Sequence, residues 1–188
     1  MPDAPARLQF RPARMFDWPE MARLWRVNFP NDKPGRISYH LRHYLGCIFV
    51  GCLDGRVAGF YTILPGDHPD SKVAADLAWL DFIALDPALQ GRGLGRELIA
   101  DAERQAAAWG YRRMEMACDR DNRQAIGINR NRGYELLDRP GSRLSWACHL
   151  TPTGPLRPPR GPLFWRRDRC LRKYVYLPIY LLLTGLRG

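Results

Sequence analysis

No stretch of the chain is apolar for long enough to cross a bilayer. The longest such run, Tyr176 to Leu183, is broken by Pro178 and offers only about ten apolar residues with its flanks, where a span needs about 20. No basic-then-apolar segment opens the sequence, which gives the expectation of a cytoplasmic protein. Cysteines are five, an odd count, and Cys47, Cys52, Cys118, Cys148 and Cys170 all sit in apolar contexts, which fits buried thiols better than a disulfide framework. No internal repeat is present. The two commonest nucleotide motifs are missing as well. A P-loop needs G-x-x-x-x-G-K-[ST], and no Lys-Ser or Lys-Thr pair exists; a dinucleotide turn needs G-x-G-x-x-G directly after its strand, and none occurs.

What the chain does have is enough apolar residues for a core. Its 188 residues are 46% apolar and 11% aromatic, consistent with one globular domain. The net charge of +10 is unevenly spread: residues 151–188 carry seven Arg and one Lys against Asp168 alone, a balance of +7, which leaves +3 for the first 150. The basicity belongs mostly to an appendage, so nucleic-acid binding is not the expected reading of it. The composition shifts at Thr151, where Thr-Pro-Thr-Gly-Pro-Leu-Arg-Pro-Pro-Arg-Gly-Pro reads as an extended, proline-rich linker.

The most informative stretch runs from Leu80 to Gly110. Phe82, Ile83 and Leu85 make a short apolar strand, Asp86-Pro87 breaks it, and Gly91, Gly93 and Gly95 at every second position open a helix. Leu94, Leu98, Ile99, Ala102, Ala106 and Trp109 then share one face, Glu97, Asp101, Arg104 and Gln105 lie mostly elsewhere, and Gly110 is placed to end the helix in the left-handed conformation. Glycines let the backbone curl until several N–H groups converge, and the helix N-terminus adds partial positive charge. That is an anion site, most simply a phosphate site.

Around it, Leu8 to Arg11 alternates as a strand; Asp17 with Glu20 reads as a capping box for a helix whose inner side carries Met21, Leu24, Trp25 and Asn28. Ile37, Leu41, Tyr44 and Leu45 form a second helical stripe. Asp54-Gly55 joins strands Cys47 to Leu53 and Arg56 to Leu64 in a hairpin. A strand from about Ala75 to Leu85 precedes the glycine turn, and Arg113 to Asp119, a helix from Asn122 to Arg132 ended by Gly133, Tyr134 to Asp138 and Arg143 to Leu150 follow. An antiparallel half joined to a strand-helix-strand unit implies a mixed sheet, α/β or α+β by label.

Gln90-Gly91-Arg92-Gly93-Leu94-Gly95 resembles the Q/R-x-x-G-x-G/A motif of the GNAT superfamily of acyl-CoA N-acyltransferases, and Asn122-Arg123-Gln124-Ala125-Ile126 with Asn131-Arg132-Gly133-Tyr134 resembles its second signature. The paired motifs span about 80–138, and the likeness extends to about 8–150. The resemblance implies a GNAT domain over residues 1–150, with a mixed sheet flanked by helices whose two central parallel strands splay apart around the acyl-CoA, and a separate extension over 151–188.

It implies an N-acetyltransferase that passes an acetyl or other acyl group from acetyl-CoA to an amine by direct attack in a ternary complex, with acyl-CoA as co-substrate and no metal. The backbone N–H groups from Gly91 through Arg96 would cradle the pyrophosphate, with Gln90 in the same motif and Arg92 and Arg96 as charge support. Ile83, Ala84 and Leu85 would pair with the pantetheine arm, an N–H near Ile83 would polarise the carbonyl, and Asn122 would hold the arm from the other side, a role compatible with capping its helix. Candidates for general base are Asp81 on the first splayed strand and Glu115 and Asp119 on the second, since a partly desolvated carboxylate has a raised pKa.

The sequence departs from the family pattern at the general acid. Seven residues after the motif Asn, where the pattern usually has Tyr, stands Asn129, which can donate a hydrogen bond to sulfur but has no titratable proton. A thiol with a pKa of about 8.5 is a fair leaving group, so the reaction is slowed rather than forbidden. Another acid, no acid, or a catalytically silent acyl-CoA sensor or scaffold are the alternatives, with Tyr134 a poor substitute because its place after Gly133 suggests core packing. His40, His43 and Cys47 fall at i, i+3 and i+7, but no carboxylate completes a metal set and Gly46 ends the helix; Cys118 and Cys148-His149 read as core. The tail, with Leu163, Phe164, Leu171, Tyr174 and Val175 among its arginines, can pack on the domain or a second subunit in a homodimer, lie on an anionic membrane surface as a peripheral anchor, or grip an acidic carrier protein. The last two would suit a lipid-like or carrier-bound substrate.

Overall fold

The computed structural model describes residues 7–32, 36, 39, 45–68 and 71–157. The stripe expected at Ile37, Leu41 and Tyr44, with His40 and His43, lies outside them, as does the chain beyond 157 with Cys170.

Seven strands form one mixed sheet in the order β1-β2-β3-β4-β5-β7-β6. They are β1 (Gln9–Pro12), β2 (Ile48–Leu53), β3 (Arg56–Pro65), β4 (Ala78–Leu85), β5 (Arg113–Asp119), β6 (Glu135–Leu137) and β7 (Arg143–His149). Neighbours are antiparallel except β4 and β5, which are parallel and joined through the helix between them. The β2–β3 hairpin turns on Asp54 and Gly55 at φ 49° and 77°, the paired positive values of a two-residue turn that matches strand twist.

Among the described residues, three helices cover the sheet: α1 (Trp18–Asn28), α2 (Leu94–Ala108) and α3 (Arg123–Asn131). Strand alternation divides the core in two. Met21, Leu24 and Trp25 of α1 pack on Val50, Phe60 and Trp79, while Leu94, Leu98 and Ile99 of α2 pack with Tyr61, Leu80 and Met116 on the other face, joined there by Ala125 and Ile128 of α3. Full burial of each large aliphatic side chain contributes about 1.5–3 kcal/mol.

Both expected helix stops are present and share one geometry. After α2, Gly110 N–H reaches Ala107 O at 2.9 Å and Tyr111 N–H reaches Ala106 O at 3.1 Å; after α3, Gly133 N–H reaches Arg130 O at 2.9 Å and Tyr134 N–H reaches Asn129 O at 3.0 Å. With φ of 90° and 71°, each glycine supplies the left-handed residue this closure demands.

Two local expectations are corrected. Asp17 does not cap α1 with its side chain: it accepts from both Arg11 guanidinium nitrogens at 2.7 Å and from Arg14 N–H at 2.7 Å, so a bidentate ion pair outcompetes the cap and holds the carboxyl below its usual range. Glu20 correspondingly takes Arg23 Nε at 2.8 Å. Asp101, assigned to the polar side of α2, is buried, where it accepts from Tyr61 Oη and from Arg104 Nη2 at 2.7 Å. Past the last strand, Thr153 N–H reaches Ala107 O at 3.2 Å and Arg157 N–H reaches Trp109 O at 2.7 Å, so this stretch is strapped to the end of α2.

Candidate active site

The parallel pair β4–β5 is joined only at its start. Ala78, Trp79 and Leu80 pair with Met114, Glu115 and Met116, after which the partnership stops although β4 continues to Leu85 and β5 to Asp119. Each strand stays bound on its other side, β4 to β3 as far as Leu85 and β5 to β7 as far as Asp119. The two therefore diverge. The cause is local: Ile63 pairs with Leu80 and Thr62 with Phe82, leaving Asp81 as an extra residue, a bulge placed immediately after the last β4–β5 pair. A bulge bends its strand and increases its twist, which carries the rest of β4 away from β5.

Backbone alternation sets what faces the gap. Asp86 N–H bonds Ala58 O at 2.8 Å, so the ladder to β3 uses the backbone of every second residue, Ala84 and Phe82 included. The N–H and C=O of Ile83 and Leu85 are thereby directed at the gap. Asn28, at the end of α1, donates its Nδ2 to Leu85 O at 3.1 Å and to Leu24 O at 2.9 Å, tying α1 to the edge of the opening.

Above the gap lies the glycine turn. Its backbone bonds end with Gln90 N–H, 3.3 Å from Pro87 O, and resume with Arg96 N–H, 2.9 Å from Gly93 O. Among the described residues, the amides of Gly91, Arg92, Gly93, Leu94 and Gly95 have no partner. Gly91 and Gly93 have φ of 78° and 83°, and Gly93 is the N-cap of α2. An added Cβ at either would meet nothing within 4 Å, so conformation rather than crowding calls for glycine. The turn is anchored below by Asp86, which accepts Ala88 N–H at 2.9 Å and pairs with Arg23 of α1.

Turn and gap open into one cavity of about 560 Å³. Gln90, Gly95, Ile83 and Leu85 line it from the β4 and α2 side; Met116, Cys118 and Asp119 from β5; and Asn122, Ala125 and Asn129 from α3. Asn122 caps α3, its Oδ1 accepting Ala125 N–H at 3.0 Å. Asn129 is 3% exposed, fixed in the last turn of α3 by the closure at Gly133. Arg92 and Arg96 are exposed beside the turn, and Ala84 turns its side chain into the α1 core.

The three carboxylates expected near the reaction centre are separated. Asp81 lines the cavity, accepts Trp79 Nε1 at 3.0 Å, and is raised above the usual carboxylate range by burial, an effect opposed by that hydrogen bond and by Lys72, Arg36 and Arg143. Asp119 lines the cavity too, ion-paired with Arg143 at 3.0 Å. Glu115 is not brought to it: 2% exposed within the paired part of β5, it is held by Arg139 at 2.7 Å and Arg113 at 3.3 Å. Tyr134 is also remote, its hydroxyl hydrogen-bonded to Glu103 beside a second cavity, with its pKa raised by burial.

Sequence reasoning did not single out the other wall of the opening. Phe29 and Phe82 meet edge-to-face at 5.4 Å, Arg36 lies 5.0 Å over Phe82, and Lys72 lies 5.7 Å over Trp79. Nothing in their local sequence signals this, because they come from the end of α1, the helical residue Arg36, a loop and β4 itself. Among the described residues no cluster of three metal-ligating side chains occurs and no helix is long and apolar enough to cross a membrane. The four described cysteines are free and buried, and burial pushes Cys47 up to about 12.

No curated protein matches the sequence. The fold is shared with solved structures: the PaiA N-acetyltransferase of Thermoplasma acidophilum in complex with coenzyme A (17% identity, TM-score 0.56, 76% of this chain and 98% of that one), the ribosomal-protein-S18-alanine N-acetyltransferase of Escherichia coli (21%, 0.60, 78% and 96%) and Ard1 of Thermoplasma volcanium (16%, 0.63, 76% and 97%). The profile described as the acetyltransferase (GNAT) family matches residues 14–134, which carry the parted strands, the glycine turn and α3. The chain belongs to the acetyltransferase (GNAT) family.

Proposed function

We propose that the protein transfers an acetyl or related acyl group from acyl-CoA to a primary amine by direct attack while both substrates are bound. The observation that carries this reading is the set of five unpartnered amides, Gly91 to Gly95, at the head of a gap edged by the backbone of Ile83 and Leu85. Those residues fit coenzyme A: a diphosphate suits convergent N–H groups at a helix N-terminus with Arg92 and Arg96 beside it, and an amide-bearing arm suits a strand edge with free donors and acceptors. Bound there, acyl-CoA supplies an activated thioester carbonyl.

The chain's own groups supply the rest. The ionised Asp81 takes a proton from the incoming ammonium, directly or through water, and its desolvated setting raises its basicity for that task. Ile83 N–H offers a hydrogen bond to the charge that develops on the carbonyl oxygen. The new C–N bond forms as the C–S bond breaks, and the thiolate leaves with Asn129 as hydrogen-bond donor rather than acid. Asp119, already ion-paired with Arg143, is the alternative base. Glu115 would act only by releasing both arginines.

Asn129 also favours a second reading, a sensor that binds acyl-CoA without turnover, because it offers no proton where the family pattern usually has Tyr. One experiment separates the two. Calorimetric titration with acetyl-CoA is paired with thiol release over a panel of primary amines; binding with release is the expected result, binding without release supports the sensor, and no binding removes both.

A further inference from the structure

The acceptor side of the cavity is electrically patterned. Asn28, Phe29, Asp32, Arg36, Lys72 and Asp81 line it where the gap opens towards α1, with Arg143 entering from β7. Of its three described cations, two are already matched: Arg36 pairs with Asp32 at 2.9 Å and Arg143 with Asp119 at 3.0 Å. Lys72 has no carboxylate partner among the described residues. Its ammonium stands over the Trp79 ring at 5.7 Å, while the same indole donates its Nε1 to Asp81 at 3.0 Å. Trp79 is 4% exposed and cannot swing away, so it works as a fixed spacer, with a carboxylate on its edge and a cation on its face.

That spacing has consequences for what enters. A simple diamine would present a second positive charge to Lys72, Arg36 and Arg143, whereas an amine with an anion at its far end would meet the Lys72 ammonium, which has no ion-paired carboxylate among the described residues. Resting on the acyl-transfer reading above, we propose that the acceptor is a primary amine that also carries an anionic group, carboxylate or phosphate, with its nitrogen at Asp81 and its anion at Lys72. Asp81 takes the ammonium proton as the C–N bond forms and the C–S bond breaks; Lys72 takes no part in the chemistry and sets specificity.

The test compares matched amines on the full chain by thiol release from acetyl-CoA: γ-aminobutyrate with butylamine and putrescine, and phosphoethanolamine with ethanolamine. The anionic member of a set is expected to have kcat/KM about tenfold above its partners, with the two anionic sets distinguishing carboxylate from phosphate. Lys72→Glu is expected to lower that ratio by about tenfold or invert it. Both members of a pair meet the same Asp81, so any effect of the substitution on its ionisation cancels in the ratio. Putrescine or a neutral amine preferred by the wild type, or a ratio indifferent to Lys72→Glu, overturns the inference and leaves acyl transfer standing. Acetyl-CoA binding with no release for any amine overturns both.

Discussion

Replacing Gly93 by alanine separates a phosphate-binding turn from an ordinary strand-to-helix connection. The added methyl meets nothing within 4 Å, so it clashes with no protein atom. Its whole effect comes from φ of 83°, where an L-residue costs about 1–2 kcal/mol. The turn can keep its shape and bear that strain, or relieve it by rotating the peptides of Gly93 and Leu94. If the amides bind a diphosphate, rotation removes about two charge-assisted hydrogen bonds at about 1.5–3 kcal/mol each, which weakens coenzyme A binding by roughly a hundredfold to ten-thousandfold. Gly133→Ala is the matched control. It has φ of 71°, nothing within 4 Å of an added Cβ, and a position at the far end of α3. Both variants are expected to lose about 2–8 °C in Tm, but only Gly93→Ala to lose affinity in a calorimetric titration with coenzyme A. Equal affinity in the two variants, with Gly93→Ala losing much less Tm than Gly133→Ala because its turn has rotated to shed the strain, would refute the assignment of these amides to a ligand.

The remaining predictions concern the carboxylates and the amide in the cavity. Asp81→Asn should lower kcat by about a hundredfold or more and abolish the acid limb of the pH–rate profile, which lies above the ordinary carboxylate range because burial raises Asp81. The same substitution should raise Tm at neutral pH. Between the ordinary carboxylate pKa and its raised folded value the folded state holds the extra proton, so stability is present below that window and lost as pH rises through it; a Tm unchanged at both pH 4 and pH 8 would count against a raised Asp81. Glu115→Gln should cost about 1–3 kcal/mol in denaturant unfolding by leaving Arg139 and Arg113 underpaired, with kcat per folded molecule nearly intact; a large fall in kcat at unchanged stability would return Glu115 to the chemistry. Asn129→Ala should lower kcat by about tenfold with no change in pH dependence, since only a neutral donor is lost. An unchanged kcat would remove Asn129 from the sulfur.

Local signals carried far along this chain. Asp54-Gly55, Gly110 and Gly133 each demand a conformation other residues rarely adopt, and all three take it. The apolar face of α2 was legible for the same reason: Leu94, Leu98, Ile99, Ala102 and Ala106 repeat at helical spacing and are all buried. What was not legible depends on partners distant in sequence. Asp17 looks like a cap until Arg11 stands opposite with two donors, and Asp101 looks like a surface charge until Tyr61 comes across from β3 to meet it. Asp81, Glu115 and Asp119 were equivalent as acidic residues on two neighbouring strands; only where those strands part decides which of them reaches the cavity.

That point of parting is fixed by a single residue. Up to Leu80, β4 has a partner on each side and its backbone groups are spent on both. The extra residue at Asp81 ends the match with β5 and at the same place puts a carboxyl at the base of the opening it creates. Beyond it, β3 alone holds β4, so the outward groups of Ile83 and Leu85 need partners from elsewhere. Asn28 supplies one for Leu85 O from α1, and an extended ligand running up the gap would supply others. A sheet that paired β4 with β5 to their ends would satisfy more of its own backbone and bind nothing. The bulge therefore gives up strand pairing to form the site, and the pinning of α1 by Asn28 and by Arg23 on Asp86 keeps the opened edge from collapsing onto its neighbour.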